Sequence, residues 1–519
     1  MVSNNTLFHS IVPNPLSHPE KINATFERIR QVSHQILAEH APDLVLALKQ
    51  AQLSVPQPRE SVNNVQAQQI SRCLAAVSNS SQLKQIAQLL EYAEISTDEA
   101  IELHESHKIP VSLLEKDIIP VQGQGCWIID IDGKKYLDMD SNYSATNLGT
   151  SNQEIAQALY NQASQLISIK EDRVSIPRAR FLKTFKGMLP ESLNQFYWQN
   201  SGGEAVDKSL KIAKAYTQQI GVVAFKGGFH GRTHGAVSVT YNPKYRIPFG
   251  LDNNPNVHFV DYNDADAVEN IFAAGKAKIV ILELIQGEEG GVRPAQVEFV
   301  HKLRQICDHY EGVLICDEVQ TGFGRTAQAP GQWFACQIYN IVPDIMVIGK
   351  SFGGGYPVTA VVTNIKISKA MKPGYDGSTF GGNPMAMVAA TIACKQMRQL
   401  NLTQNVVNRS WQLKTGLFQL KNKYSLIGDI RISGLYIGFD LPSAEFVEPF
   451  QKLMAQNFVK TSLDTGPTIR FLPPLIISSG EIDFLLQAID KTLATMTKTP
   501  DILELNPSVE NPEILKILK

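Results

Sequence analysis

The sequence predicts an α/β protein with a mostly parallel sheet, and three features carry that expectation. Short runs of consecutive apolar residues, Ile279–Leu282, Val313–Cys316 and Ile345–Ile348, have the pattern of strands covered on both faces. Helical spacing follows a turn of small residues, as where Val206, Leu210 and Ala213 follow Ser201-Gly202-Gly203. The chain has 519 residues, 43% of them apolar and 19% charged, enough for a large buried core and more than one domain.

The second and third apolar runs end at an acid and an amine. The second stops at Asp317-Glu318, and the third at Gly349-Lys350-Ser351, ahead of Gly353-Gly354-Gly355. In a parallel sheet the carboxyl ends of neighbouring strands open into one crevice, so Asp317 and Lys350 are placed to meet over a bound ligand. An acid and an amine together there point to cofactor chemistry. Gly349-Lys350-Ser351 also looks like the tail of a phosphate-binding P-loop, but that loop requires glycine where Asp344 stands, which excludes the nucleotide reading.

The charge balance is nearly neutral, 48 basic against 50 acidic residues, and gives no reason to expect nucleic acid or a membrane as partner. The six cysteines are scattered without a C-x-x-C pair, the pattern of a reducing compartment. No basic-then-apolar leader opens the chain, and no apolar run reaches the ~18 residues of a membrane span. A cytoplasmic location is the expectation.

Along the chain, residues 1–110 read as an N-terminal helical extension. Its lead contains Pro13, Pro15 and Pro19, and its helical faces include Phe26, Ile29, Val32 and Ile36, then Ile70, Leu74 and Val77, then Leu83, Ile86 and Leu90. No chemistry is apparent in it. Gly123 to Asp138 reads as strand, Asp-Gly turn, strand, and its lone Gly123-x-Gly125 lacks the third glycine of a dinucleotide fingerprint. Phe196 to Ala213 reads as strand, small-residue turn and helix, where free backbone N–H groups and the positive helix end form an anion site at Ser201, Gly202 and Gly203. No carboxylate or cysteine is spaced to make His230 and His234 a metal site. Residues 386–498 alternate helical runs with short strands such as Leu435–Asp440, and 499–519 form a tail whose last residues suit one docked helical turn.

The stretches Leu314-Ile-Cys-Asp-Glu-Val-Gln-Thr-Gly-Phe-Gly-Arg-Thr326 and Pro343-Asp-Ile-Met-Val-Ile-Gly-Lys350 resemble the class III aminotransferases, pyridoxal-phosphate (PLP) enzymes of fold type I. The resemblance rests on motifs in family order over residues 115–495. It implies the N-terminal part of the small domain and a lead into the core over 111–165, and a large PLP-binding domain of mostly parallel sheet flanked by helices over 166–385. A smaller α+β domain over 386–498 would complete the enzyme. By the same resemblance, Lys350 holds the cofactor aldehyde as a Schiff base and Asp317 faces the pyridine nitrogen, keeping the ring protonated and electron-withdrawing.

Further roles follow from it. Ser201, Gly202 and Gly203 would take the cofactor phosphate; relatives often carry threonine where Gly203 stands, so one hydroxyl is missing. Phe229 would lie on the ring with His230 beside it, and Gln320 would reach the ring hydroxyl. Thr379 would reach the phosphate of a neighbouring subunit, which implies a homodimer with shared sites. Tyr143 would stand at the substrate mouth, although Thr150 replaces the histidine the family often carries nearby. Arg232 is available to bind a substrate carboxylate. Glu288 would pair with Arg470, masking it while an ω-amine enters and freeing it for an oxo acid.

The implied reaction moves an amino group from a diamine, ornithine, acetylornithine or ω-amino acid to an oxo acid such as 2-oxoglutarate. The same framework hosts aminomutases, decarboxylases and racemases. From a different class, a PLP-binding scaffold with a partner-recruiting first 110 residues remains open.

Overall fold

The computed structural model describes residues 97–131, 133–462 and 466–498, and the chain divides into two compact units between Tyr136 and Leu137. The helical faces expected before residue 97 and the tail beyond 498 lie outside the described residues.

In the first unit, helix α1 (Thr97–His107) precedes a hairpin of β1 (Pro120–Gln124) and β2 (Trp127–Asp130). Sequence reading expected one strand before the Asp-Gly turn, whereas the structure breaks it at Gly125-Cys126 and pairs Gln124 with Trp127. Gly125 makes that reversal with φ +57, a conformation with no Cβ penalty for glycine. Next along the chain comes β3 (Lys135–Asp138), whose Leu137 and Asp138 run parallel to Val459 and Lys460.

The second unit is built on a seven-stranded sheet. Its strands are β4 (Gln195–Gln199), β5 (Val222–Phe225), β6 (Val257–Val260), β7 (Ile279–Leu282), β8 (Val313–Asp317), β9 (Ile345–Ile348) and β10 (Thr359–Thr363). Their spatial order is β4-β10-β9-β8-β7-β5-β6. Strands β9, β8, β7, β5 and β6 are parallel neighbours, and only β10 runs antiparallel to both its neighbours. The mostly parallel α/β sheet expected from the apolar runs is therefore present.

The helices of this unit include α2 (Gln153–Ala163), α3 (Ile176–Phe185), α4 (Gly202–Thr217), α5 (Val297–His309) and α6 (Pro384–Gln399). On one face, Val206, Leu210 and Ala213 of α4 pack with Ile279, Ile281, Ile315 and Val347 in one buried cluster. Truncating such a residue, for example Ile315→Ala, costs about 2–5 kcal/mol. Helix α5 covers β8, and α6 packs against α2 and α3.

The chain ends in an α+β assembly. An antiparallel sheet of β11 (Ile430–Ser433), β12 (Tyr436–Asp440) and β13 (Thr468–Phe471) is accompanied by α7 (Leu402–Lys423), α8 (Val447–Gln456) and α9 (Ser479–Lys498). Helices α7 and α9 approach closely at Gly416, where a Cβ would come 2.3 Å from a Leu486 methyl.

Candidate active site

The register of the sheet decides which side chains share the crevice. Cys316 is level with Leu282 on one side, and Asp317 is level with Val347 on the other. The residue after Leu282 is Glu283, so two carboxylates stand side by side at adjacent strand ends. Lys350 follows three residues after Val347.

Asp317 and Glu318 then part company, as successive residues leaving a strand do. Glu318 is buried and accepts from Thr321 Oγ1 and from the Ala335 and Cys336 N–H groups at 2.9 and 2.7 Å. It fastens the run of turns that follows the strand. Asp317 faces the crevice: Oδ1 accepts from Val319 N–H at 3.1 Å, and Oδ2 lies 2.9 Å from His230 Nδ1. The His230 N–H donates to Thr240 Oγ1 at 2.9 Å, while its Nε2 is buried with no partner among the described residues.

Lys350 opens a short 3₁₀ turn (Lys350–Gly353) with φ +48, in the left-handed region. Such a conformation in a non-glycine residue costs on the order of 1–3 kcal/mol and is held only by its surroundings. Ser351 Oγ donates to Ser144 O at 2.6 Å, and a Cβ on Gly349 would come 2.8 Å from Thr359 Cγ2. Lys350 keeps some exposure as a residue, yet its amine is desolvated. Burial, with Arg470 acting in the same direction, lowers its pKa to about 8 against the opposing pull of Glu288, Asp317 and Glu283.

Tyr143 comes to the same place on a strained turn. Ser141, Asn142, Tyr143 and Ser144 all have positive φ, between 42 and 69°, and none is glycine. Arg325 anchors this turn: Nη2 reaches Asn147 Oδ1 at 2.5 Å and Ser141 Oγ at 3.5 Å, and Nη1 donates to Leu435 O and Pro473 O at 3.1 and 2.5 Å. Burial lowers its pKa to about 9. Ser141 Oγ also donates to Leu472 O. The result is a Tyr143 ring whose centroid lies 5.9 Å from Lys350 Nζ.

The anion site expected at the start of α4 coincides with a capping box. The Ser201 hydroxyl accepts from Glu204 N–H at 3.3 Å, and Glu204 Oε2 accepts from the Asn200 and Ser201 N–H groups at 2.9 and 3.2 Å. This capping box uses the Ser201 N–H and its hydroxyl oxygen as acceptor, and leaves the hydroxyl hydrogen to donate. The N–H groups of Gly202 and Gly203, the first two helical positions, have no carbonyl a turn earlier and are left for an anion. The hydroxyl expected to be missing at Gly203 has a neighbour in its place. Thr233 Oγ1 lies 3.0 Å from where a Cβ of residue 203 would stand, and it is buried with no hydrogen bond among the described residues.

Phe229 donates its N–H to Glu283 Oε1 at 2.7 Å, and Glu283 Oε2 accepts from Gly287 N–H at 3.2 Å. Glu283 thus joins the Phe229 loop to the loop carrying Glu288. Desolvation raises its pKa to about 7, with Asp317 adding to the rise and His230 opposing it. Sequence reading did not single it out, although the rule that found Asp317, the first charge after a buried strand, applies equally to it. Arg232 stacks its guanidinium 4.0 Å from the Tyr245 ring centroid and 5.6 Å from that of Phe229. Tyr245 was also missed, and nothing in its local sequence marks it.

Glu288 and Arg470, 182 residues apart, meet at 3.0 Å. Burial alone would raise the Glu288 carboxyl, but Arg470 and Lys350 together hold it below its ordinary value. Gln320 donates from Nε2 to Tyr143 O at 3.3 Å and accepts from Tyr436 at 2.6 Å. Thr379 is exposed on the loop before α6 and makes no hydrogen bond to these residues. A separate cavity of about 430 Å³ is lined by Tyr197, Met371 and Asp376 and by none of the charged groups above. The site is therefore located by its chemistry. Among the described residues no cluster could hold a metal ion, and no helix is long and apolar enough to cross a membrane.

These groups fit PLP: a desolvated amine for its aldehyde, an anionic acceptor for its ring N–H, and two open helix amides for its phosphate.

Comparison with known proteins agrees. A profile described as Aminotransferase class-III matches residues 111–493. A [LysW]-aminoadipate semialdehyde transaminase from Deinococcus radiodurans is 35% identical over 73% of this chain and 86% of its own length. An acetylornithine aminotransferase from Archaeoglobus fulgidus is 33% identical over 74% of this chain and 97% of its own. The solved acetylornithine aminotransferase from Elizabethkingia anophelis superposes with a TM-score of 0.68 at 27% identity, over 77% of this chain and 99% of that one. With buried amine, acid and open helix amides in one crevice of a fold type I sheet, the chain belongs to the class III aminotransferases and is a PLP-dependent transaminase.

Proposed function

We propose that this transaminase takes nitrogen from a primary amine at the end of an aliphatic chain and delivers it to a 2-oxo acid, with 2-oxoglutarate as the acceptor. The observation that carries the reading is the Glu288–Arg470 pair at 3.0 Å beside Lys350. A site for both an ω-amine and an α-carboxylate needs an arginine that can be offered or withdrawn, and a partner glutamate supplies the withdrawal. Relatives named for acetylornithine and for an aminoadipate semialdehyde support a substrate reacting at its chain end.

Lys350 Nζ is the anchoring amine and the proton carrier. Its pKa near 8 leaves a useful neutral fraction at neutral pH, so it would take a proton from the amine-bearing carbon and return it to the carbon on the other side of the nitrogen. Bound PLP supplies a protonated ring that draws off the charge left on that carbon. Asp317 would face the ring nitrogen, oriented by Val319 N–H, which donates to Oδ1 at 3.1 Å, and by His230 Nδ1, which lies 2.9 Å from Oδ2. The Gly202 and Gly203 amides hold the phosphate, Phe229 fixes the ring plane, and Gln320 serves the ring oxygen. Tyr143 and Arg232 shape the entrance, and Arg470 takes the oxo-acid carboxylate once Glu288 turns to solvent. Thr379, exposed in one chain, serves the phosphate of a partner in a homodimer, and the enzyme works in the cytoplasm.

The test is a panel of amine donors (ornithine, N-acetylornithine, putrescine, 4-aminobutyrate) with 2-oxoglutarate, reading glutamate formation. Production from at least one donor supports the reading. Consumption of amines without any oxo acid would replace it with a mutase, decarboxylase or racemase.

A further inference from the structure

Tyr436 is an aromatic residue for which neither the sequence motifs nor the reaction above has a use. It opens β12 and is fully buried, with its hydroxyl directed at the site and donating to Gln320 Oε1 at 2.6 Å. Room for it exists because residue 287 is glycine: a Cβ there would stand 1.4 Å from the hydroxyl oxygen. The groups that face it come from three directions, Arg470 on β13, Glu283 and Glu288 from the loop after β7, and Arg325 beyond β8. Burial, reinforced by Glu283 and Glu288 against the two arginines, raises its pKa, so the phenol keeps its hydrogen at any working pH. It has one hydrogen to give, and Gln320 receives it.

A glutamine amide has an acceptor end and a donor end, and either can face a ligand unless a neighbour decides. Tyr436 occupies the acceptor end. The donor end, Nε2, is then turned the other way, where it lies 3.3 Å from Tyr143 O on the strained turn. We propose that Tyr436 is a positioning residue that fixes the Gln320 amide so that Nε2–H₂ is presented to an anionic oxygen on the cofactor ring. This rests on the reading of Gln320 given above. An oxygen anion needs a donor, and an amide flipped by half a turn would offer it a repelling carbonyl oxygen. The contact is made by a side chain on the terminal antiparallel sheet, so that sheet would act on the ring oxygen through Gln320.

The experiment compares wild type, Tyr436→Phe, Gln320→Ala and the double variant, each loaded with PLP, by pH titration of the visible absorbance and by the Kd for PLP. A donor to the ring oxygen favours its anion, so losing that donor raises the pH midpoint. Gln320→Ala should raise it by about one unit, the size of one hydrogen bond to a charged group. Tyr436→Phe should move it the same way by roughly half as much and weaken PLP about threefold, with thermal stability monitored as a check on folding. The double variant should match Gln320→Ala alone, because Tyr436 acts only through the amide.

A Tyr436→Phe midpoint equal to wild type while Gln320→Ala shifts would overturn the inference and leave the Gln320 role standing. So would single shifts that add in the double variant. No shift in any variant would remove the Gln320 role and the inference with it, and a wild type that stays colourless with PLP would contradict the functional reading itself.

Discussion

The two acid–base contacts of the site differ in how they are closed off. His230 and Asp317 meet at 2.9 Å with side chains 1% and 7% exposed. Arg470 and Glu288 meet at 3.0 Å, but the arginine is 3% exposed and the glutamate 22%. Separating the first pair strands both partners out of water, so it behaves as one fixed unit. In the second, the glutamate can return to solvent at little cost while the arginine cannot, which suits a latch that opens when a carboxylate arrives to replace it. Near-equal distances therefore hide unequal jobs, and burial on each side distinguishes them.

Breaking the closed pair should have the largest effect. Asp317→Ala leaves His230 without its acceptor and the ring without its counter-charge, and kcat should fall by about 10²–10⁴ in both half-reactions, measured by single-turnover spectroscopy. Breaking the open pair should divide the half-reactions. Arg470→Ala should lower kcat/KM for the oxo acid by about 100-fold, the value of a charge-assisted pair of hydrogen bonds, and the amine half-reaction by only a few-fold. Equal losses would contradict the latch. Glu288→Gln should weaken amine use by about tenfold and leave oxo-acid use near wild type, since the arginine is then permanently available.

A smaller effect concerns Glu283, the carboxylate beside the closed pair. Its pKa is raised from 4.5 to about 7, so between those values the folded state binds more proton than the unfolded chain. Its contribution is therefore full below pH 4.5 and is lost as pH rises through 7. Glu283→Gln, which cannot titrate, should flatten the fall of Tm across that window, and an unchanged slope would remove Glu283 as its source.

What was legible in the sequence follows the same division between local and distant causes. Buried parallel strands show as unbroken apolar runs, so Ile279–Leu282, Val313–Cys316 and Ile345–Ile348 and the charges ending two of them could be read directly. Family resemblance supplied Glu288 and Arg470, which spacing alone could not have joined across 182 residues. The left-handed turn at Ser141–Ser144 could not be read, because it contains no glycine and is held by Arg325 and the Leu472 carbonyl from far along the chain. Tyr436 was hidden for the same reason: Tyr-Ile-Gly-Phe-Asp reads only as a strand, and its meaning comes from Gln320 and Gly287. At Ser201 one pattern marks two things, an anion site and a capping box, because the hydroxyl oxygen accepts from Glu204 N–H while its hydrogen is left to donate.

The chemistry of the site depends on the amine of Lys350. PLP-loaded protein reduced with borohydride and mapped by mass spectrometry should carry the pyridoxyl adduct on the peptide containing Lys350, and the Lys350→Ala variant should carry none and lose its visible absorbance. An adduct on another lysine of the wild type, or a variant that keeps both colour and turnover, would contradict it.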